Sequence, residues 1–280
     1  KAKLLDVQES RSLAFDSRGN VLSQVVATFS DMDEKNLLDI KVITNESIDA
    51  QGNAGKVTIK KYSNGSISAD GSAITPDDSS LIDVSVITTA RFDSRGNSLE
   101  QTVKRYSDAA LAKLTETQAI TNSGYDFHDR VERSSVITTN SIGAFVDRQE
   151  IDYLRYDQFG NALEQTVARY SDTDKLIDYK VINNTYADPA AAKRGNATSS
   201  TIERYTSKDT LDPTTMIERQ VITNKSFDSI GNVVDQEVEL YVQGKLSRKT
   251  VITNSNISNR GDAGNQEITV YSTDSDGKLL

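Results

Sequence analysis

Hydrophobic and polar positions along the chain repeat on two scales. Locally, β-branched and aromatic residues form short runs that alternate in part, as across Leu22, Gln24 and Val26 or Leu99, Gln101 and Val103, a strand-like period rather than a helical one. On the longer scale the same order returns eight times, in units of about 30–44 residues. Each unit is anchored on a turn position: Gly19, Gly52, Gly96, Asp129, Gly160, Gly195, Gly231 and Gly261. Seven residues after it stands Val26, Ile59, Val103, Val136, Val167, Ile202, Val238 or Ile268, so all eight are β-branched. Ten after it stands Phe29, Tyr62, Tyr106, Thr139, Tyr170, Tyr205, Tyr241 or Tyr271, aromatic in seven cases of eight. Nine before it stands Ile43, Ile87, Ile120, Ile151, Ile222 or Ile252, with Ser10 in the first unit and Ile182 displaced in the sixth by a four-residue insertion around residues 188–192.

The turn chemistry is local and explicit. FDSRGN occurs at 15–20 and 92–97, with IDAQGN at 48–53, YDQFGN at 156–161 and FDSIGN at 227–232. Asp three residues before a Gly fits a type I turn, with the carboxylate capping backbone N–H groups and Gly taking the left-handed position. Each unit therefore predicts a hairpin. A second, looser turn follows the aromatic position, and the longest insertions fall there, at 63–80 and 206–215, where repeat proteins tolerate them. VITN-like strings precede the turn at 42–45, 86–89, 221–224 and 251–254; the VITT at 136–139 is a decoy, because it falls in the second-strand phase of the fourth unit, and the partner string of the fifth is 150–153.

The expected fold is all-β: tandem antiparallel hairpins, about 16 strands in eight units spanning approximately 3–35, 36–79, 80–112, 113–143, 144–174, 175–213, 214–244 and 245–280. At ~4.8 Å per strand the unrolled sheet is roughly 77 Å wide, and open sheets rarely pass about ten strands without curling. A single array coiled into a spiral or tube is the expectation, with a β-solenoid as the alternative. The alternation leaves one question open. The Ile nine before the turn and the aromatic four before it are an odd number apart and point to opposite faces, as do Val26 and Phe29. Either a bulge resets the phase or both faces are partly covered.

Composition narrows the function. The chain has no Cys, no Trp and one His, which excludes disulfide frameworks, thiol nucleophiles and multi-histidine metal sites. Its 32 basic and 41 acidic residues give a net charge of −9, against a dedicated nucleic-acid binder. No apolar run approaches the roughly 18 residues of a membrane span.

Candidate chemistry is sparse. His128 stands alone in an irregular turn beside Phe127 and Asp129 and reads as a solvent-exposed turn residue. The Asp-rich stretches 31–34, 77–78 and 274–277 offer oxygen ligands without a calcium-loop spacing and read as solvated turns. Arg260-Gly261-Asp262 spells an integrin-type tripeptide but occupies the phase of Arg18-Gly19-Asn20; sequons such as Asn45-Glu46-Ser47 and Asn196-Ala197-Thr198 carry little weight in a chain rich in Asn, Ser and Thr. Two amide series recur at matched heights: Asn45, Asn122, Asn224 and Asn254, and Gln24, Gln101, Gln165, Gln236 and Gln266. Amides so placed can hydrogen-bond along a sheet, although in a meander equivalent strands lie two apart. No catalytic, cofactor-binding or metal-ligating residue is assigned, and no cofactor is expected.

Tyr156-Asp157-Gln158-Phe159-Gly160-Asn161, with its Phe versions at 15–20, 92–97 and 227–232, resembles the YD repeat of RHS proteins. The resemblance implies long hairpin arrays that wind into hollow shells, as in bacterial polymorphic toxins, insecticidal toxin cocoons and teneurin-like adhesion proteins. The VITN-like strings, together with the QTVxRYSD strings at 101–108 and 165–172, resemble the arrays of very large bacterial surface proteins. The function expected is therefore a non-enzymatic structural repeat protein of the bacterial cell exterior, located extracellularly or at the cell surface, fibrous or self-associating. Residues 3–6 and 36–39 match in phase, and 277–280 fall in it again, so the partner expected is the protein itself or neighbouring repeats of a longer array. Alternatives are an adhesin stalk that binds a surface glycan or protein through its variable loops, or the wall of a toxin-encapsulating shell. Neither nucleic acid nor a membrane span is expected.

Overall fold

The computed structural model describes residues 7–30, 36–68, 73–229, 231–258, 263–274 and 278–279. The tripeptide 260–262, the acidic stretch 31–34 and most of 274–277 lie outside the described residues. The strands are β1 (Val7–Phe15), β2 (Val21–Phe29), β3 (Leu37–Ile48), β4 (Ala54–Tyr62), β5 (Gly65–Ile67), β6 (Ile74–Pro76), β7 (Leu81–Phe92), β8 (Ser98–Tyr106), β9 (Leu114–Tyr125), β10 (Val131–Asn140), β11 (Phe145–Tyr156), β12 (Ala162–Tyr170), β13 (Leu176–Thr185), β14 (Ser199–Tyr205), β15 (Met216–Phe227), β16 (Val233–Val242), β17 (Lys245–Ile257) and β18 (Ala263–Ser272). One short helix, α1 (Pro189–Lys193), fills the insertion of the sixth repeat. Among the described residues no helix is long and apolar enough to cross a membrane.

Sixteen strands form an antiparallel sheet in chain order, and β5 and β6 pair separately. The solenoid alternative is corrected by this order. Each Asp-x-x-Gly turn reverses the chain, so consecutive strands become antiparallel neighbours and no coil advances in parallel. The chain forms two compact bodies, residues 1–123 with 136–146 and residues 124–135 with 147–280.

The register reproduces the repeat phase. Within a hairpin the residue nine before the turn faces the β-branched residue seven after it: Ser10 faces Val26, Ile43 faces Ile59, Ile87 faces Val103, Ile151 faces Val167, Ile182 faces Ile202, Ile222 faces Val238 and Ile252 faces Ile268. From one repeat to the next the rule is as strict. The residue five after a turn faces the Ile of the following strand: Gln24 with Ile43, Val57 with Ile87, Gln101 with Ile120, Gln165 with Ile182, Ser200 with Ile222 and Gln236 with Ile252. These six seams are one interface used repeatedly.

The parity question resolves both ways. In four first strands the residue six before the turn is extruded from the ladder: Leu13, Ala90, Leu154 and Lys225 have no opposite number. Such a bulge shifts the side-chain phase by one and returns the following aromatic to the face of the Ile. Leu13 and Leu154 are accordingly 62% and 57% exposed. Two other repeats use a left-handed residue instead, Ser47 (φ 55°) and Asn256 (φ 52°), opposite Gly55 and Gly264, where a Cβ would come within 3.0 and 2.8 Å of the Ser47 and Asn256 carbonyls. In β2 both faces are covered: Val25, Ala27 and Phe29 are buried on one and Thr28 on the other.

In the first body Val25, Ala27, Phe29, Ile40, Tyr62 and Ile74 form a continuous core, with Val7, Leu37, Val42, Ile67 and Leu81 packed against it. The 63–80 insertion is thus not a permissive loop. Its small hairpin lays Ile67 and Ile74 on the core, Asp77 caps the 3-10 turn at Asp78–Ser80, and Gly65 is required because a Cβ there would lie 2.5 Å from the Thr75 backbone carbonyl oxygen. In the second body Ala168, Tyr170, Ala191, Ala192 and Tyr205 are buried. Four of the seven aromatic residues that follow the turns, Phe29, Tyr62, Tyr170 and Tyr205, are core residues.

Candidate functional site

The recurrent chemistry lies in the turns and the seams. In each regular turn the Asp backbone carbonyl accepts from the Gly N–H, and the Asp N–H donates to the carbonyl one residue past Gly, as for Asp16 with Gly19 (3.1 Å) and Asn20 (2.9 Å). This is a type I turn closed by a left-handed residue. The carboxylate adds three bonds. Asp16 Oδ1 accepts from the N–H groups of Arg18 (2.8 Å) and Asn20 (2.9 Å), and Oδ2 accepts from Asn20 Nδ2 (2.9 Å). Asp49, Asp93 and Asp157 repeat the set with Asn53, Asn97 and Asn161. In the fourth repeat Arg130 replaces the Asn and donates through Nε to Asp126 at 2.7 Å.

These bonds stabilise the ionised carboxyl. The Asn20 side-chain amide and N–H hold Asp16 down at about 2, and the Arg130 side chain holds Asp126 at about 2. The Asn53 amide and N–H lower Asp49. At Asp93 and Asp157 partial desolvation pushes upward but is outweighed by the bonds from Asn97 and Asn161. A carboxyl whose value is depressed in the folded state adds stability that is complete above its unfolded value, near 3.8, and is lost as pH falls through the folded value. The turns are therefore expected to hold undiminished above about pH 4 and to loosen between about pH 4 and pH 2. Near-ultraviolet circular dichroism during acid titration checks this; a transition centred above pH 5 contradicts it.

Successive turns touch. Arg18 donates to the carbonyls of Asp49 (2.7 Å) and Ile48 (3.0 Å). In the second body Arg130 reaches the Asp157 carbonyl (3.1 Å), Asn161 the Ala192 carbonyl (2.7 Å) and Asn196 the Gly231 carbonyl (2.8 Å). This contact adds a second reason for Gly in the turn. At Gly19 (φ +88°) a Cβ meets nothing within 4 Å, whereas at Gly96 (φ +89°) it would lie 2.7 Å from Asn53 Oδ1. Gly19→Ala is expected to cost about 1 kcal/mol, the backbone strain alone, and Gly96→Ala about 2 kcal/mol because the neighbouring turn must also give way. Equal losses in urea denaturation would refute the stacking contribution.

The seams carry an amide relay. The Asn seven before the turn donates Nδ2 back across the seam to the carbonyl two after the preceding turn: Asn45 to Val21 (3.0 Å), Asn122 to Ser98 (3.1 Å), Asn224 to Ala197 (2.9 Å) and Asn254 to Val233 (3.0 Å). Asn184, displaced by the α1 insertion, does the same to Ala162 (3.0 Å). Its Oδ1 accepts from within its own hairpin: Gln236 Nε2 donates to Asn224 and Gln266 Nε2 to Asn254, each at 2.8 Å, and Ser200 Oγ to Asn184 at 2.7 Å. Where Thr89 replaces Asn, Gln101 donates to its hydroxyl at 3.1 Å. The two amide series thus bridge three consecutive strands. Asn224→Ala is expected to cost about 1–2 kcal/mol, since it removes a donor and an acceptor together, and Asn224→Asp to recover less than half of that. A loss under about 0.3 kcal/mol in chemical denaturation would remove the relay's significance.

Among the described residues the one deeply buried charge is Asp178, whose side chain is 0% exposed. It accepts from Arg169 Nη2 at 2.7 Å and Arg204 Nε at 3.0 Å. Arg204 also approaches Glu218 at 3.4 Å. With Lys180, Ile202 and Gln220 these residues line a cavity of about 240 Å³. Asp39 takes the same place in the second repeat, 3.4 Å from Lys61 and 3.8 Å from Lys41.

The remaining sequence candidates do not converge. His128 is exposed, donates its N–H to Asp126 Oδ1, and its ring lies edge-on to Phe127 at 5.3 Å. Asp77 is a cap. The sequon residues Asn45 and Asn196 spend their amides on backbone carbonyls. Among the described residues no group of three or more His, Asp or Glu side chains is placed to hold a metal ion.

No family model matches the chain, and no curated protein matches it. Among solved structures it is similar to the crystal structure of TcdB2-TccC3-TEV, with 14% identity and a TM-score of 0.20 over 91% of this chain and 15% of that one. It is similar also to that of TcdB2-TccC3, with 12% identity and a TM-score of 0.19 over 97% of this chain and 17% of that one. The chain thus spans about a sixth of the length of the structures it matches.

Proposed function

We propose that this chain is a non-enzymatic structural array that extends a β-wall at the bacterial cell exterior and associates strand by strand with like repeats. The observation that carries the reading is the constancy of the seam: six junctions share one register. A chain whose seam register recurs from repeat to repeat is suited to extension, because the interface that ends one unit begins the next. Acidity and exposed Asn, Ser and Thr suit a surface in contact with water.

The reading is tested by removing one repeat. Deletion of residues 81–113 joins Ser80 to Leu114, so that β4 meets β9 with Val57 opposite Ile120 and Lys61 opposite Glu116. An interchangeable unit predicts a folded protein with two strands fewer and a cooperative melt. Antibody labelling of intact cells that carry either form is expected to be positive for both. Loss of folding on deletion overturns the array reading, and labelling confined to permeabilised cells overturns the location.

A further inference from the structure

The cavity on strands β12–β15 of the second body is out of electrostatic balance. Its lining carries three cations, Arg169, Lys180 and Arg204, against two carboxylates, Asp178 and Glu218. The register accounts for the excess. Arg169 stands opposite Asp178, Arg204 opposite Glu218, and Lys180 directly opposite Arg204. A like-charge pair across the ladder is destabilising unless an anion joins it.

The second repeat shows the same pair in balance. There Lys41 faces Lys61, and Asp39 serves both, at 3.8 and 3.4 Å. It can do so because its neighbour across the seam is Thr28. In the sixth repeat Arg169 takes the place of that Thr and the carboxylate with it, since Asp178 is held by Arg169 and Arg204. Among the described residues Lys180 is left without an ion pair and the Gln220 side chain without a hydrogen bond. Asp178 Oδ1 and Arg169 Nε are also buried without a partner among those residues. The cluster thus holds more polar groups than it satisfies by itself.

We propose that this cavity binds a small hydroxylated carboxylate, the chemistry of an acidic sugar, with Lys180 as counter-ion to the carboxylate. A monoanion cancels the single excess charge, as a partly buried cation requires. A phosphate group, at about −1.5 to −2 near pH 7, would exceed it beside Glu218. Gln220 offers hydroxyl groups a donor and an acceptor, and Glu218 an acceptor, while Ile202 gives a C–H face an apolar seat. The volume of about 240 Å³ equals roughly eight waters at ~30 Å³ each, room for one sugar ring.

The test is calorimetric titration of the full chain with sodium glucuronate, with glucose and inorganic phosphate as the other arms. Glucuronate is expected to bind one per chain, and glucose and phosphate each roughly tenfold more weakly or less, the equivalent of one charge-assisted hydrogen bond. Lys180→Met is expected to weaken glucuronate binding by roughly the same factor. Its thermal melt should be unchanged or raised, because the variant removes the like-charge pair with Arg204. Lys41→Met, at the same place in the second repeat, is expected to leave binding unchanged. Should Lys180→Met fold poorly, Gln220→Ala carries the test, with a roughly fivefold weakening expected from one lost hydrogen bond. Four outcomes overturn the proposal: no heat with glucuronate, equal binding of glucose, equal or tighter binding of phosphate, or glucuronate binding indifferent to Lys180→Met and Gln220→Ala.

Discussion

Replacing Phe29 by alanine is expected to cost about 3–5 kcal/mol, the range for truncating a buried aromatic side chain. Phe29 is 2% exposed and lies among Ala27, Ile40, Tyr62 and Ile74. Ala27 and Ile40 are themselves fully buried, so the surroundings have little freedom to collapse into the space. The effect should be regional as well as global. Ile67 and Ile74 hold the 63–80 insertion on this core, and the variant should expose that insertion to proteolysis before the rest of the chain. Urea denaturation gives the magnitude and a timed digest the order of cleavage. A loss below about 1 kcal/mol, or cleavage elsewhere first, contradicts the account.

Asp178→Ala is expected to be the most damaging change to a charged residue, about 2–3 kcal/mol. Breaking a buried pair leaves its partner's charge uncompensated. Here two guanidiniums lose the same carboxylate, but they are 35% and 32% exposed, and water recovers part of the loss. The charge imbalance gives a specific second test. Arg204→Met in the Asp178→Ala background should restore stability partly, whereas Arg204→Met alone should destabilise. Additive losses in the double-mutant cycle would mean that Asp178 is not the shared partner. Asp83→Ala, at the same place in the third repeat, where the residue is only partly buried, should cost less than half as much.

Much of this architecture is legible in the residues, for identifiable reasons. The turns are, because Asp-x-x-Gly-Asn satisfies its bonds within five residues. So is the pairing of positions nine before and seven after the turn, since the register follows once turn geometry is fixed. The bulge that reconciles the two faces is not. The extruded residue is Leu13, Ala90, Leu154 or Lys225, and no residue type marks it. The amide series are visible as a recurrence, but their partners are backbone carbonyls, which no residue letter displays, so they read as amide contacts along the sheet. The 63–80 insertion reads as a tolerated loop because Ile67 and Ile74 are isolated in polar sequence; only the packed core shows that they are anchors. Asp178 carries the same Leu-x-Asp pattern as Asp39 and Asp83, and burial alone separates it from them.

The meander order has a mechanical consequence. When such a chain is pulled from its two ends, load does not fall on many ladder bonds at once in shear. It concentrates on the outermost pair, which peels before the next is stressed. Extension should therefore proceed as a sawtooth of low, similar peaks. The 30–44 residues from one turn position to the next set the spacing, at most about 100–160 Å of released length per hairpin. A wall built this way lengthens by stages under traction and re-forms behind the load, where a single interlocked core would rupture in one event.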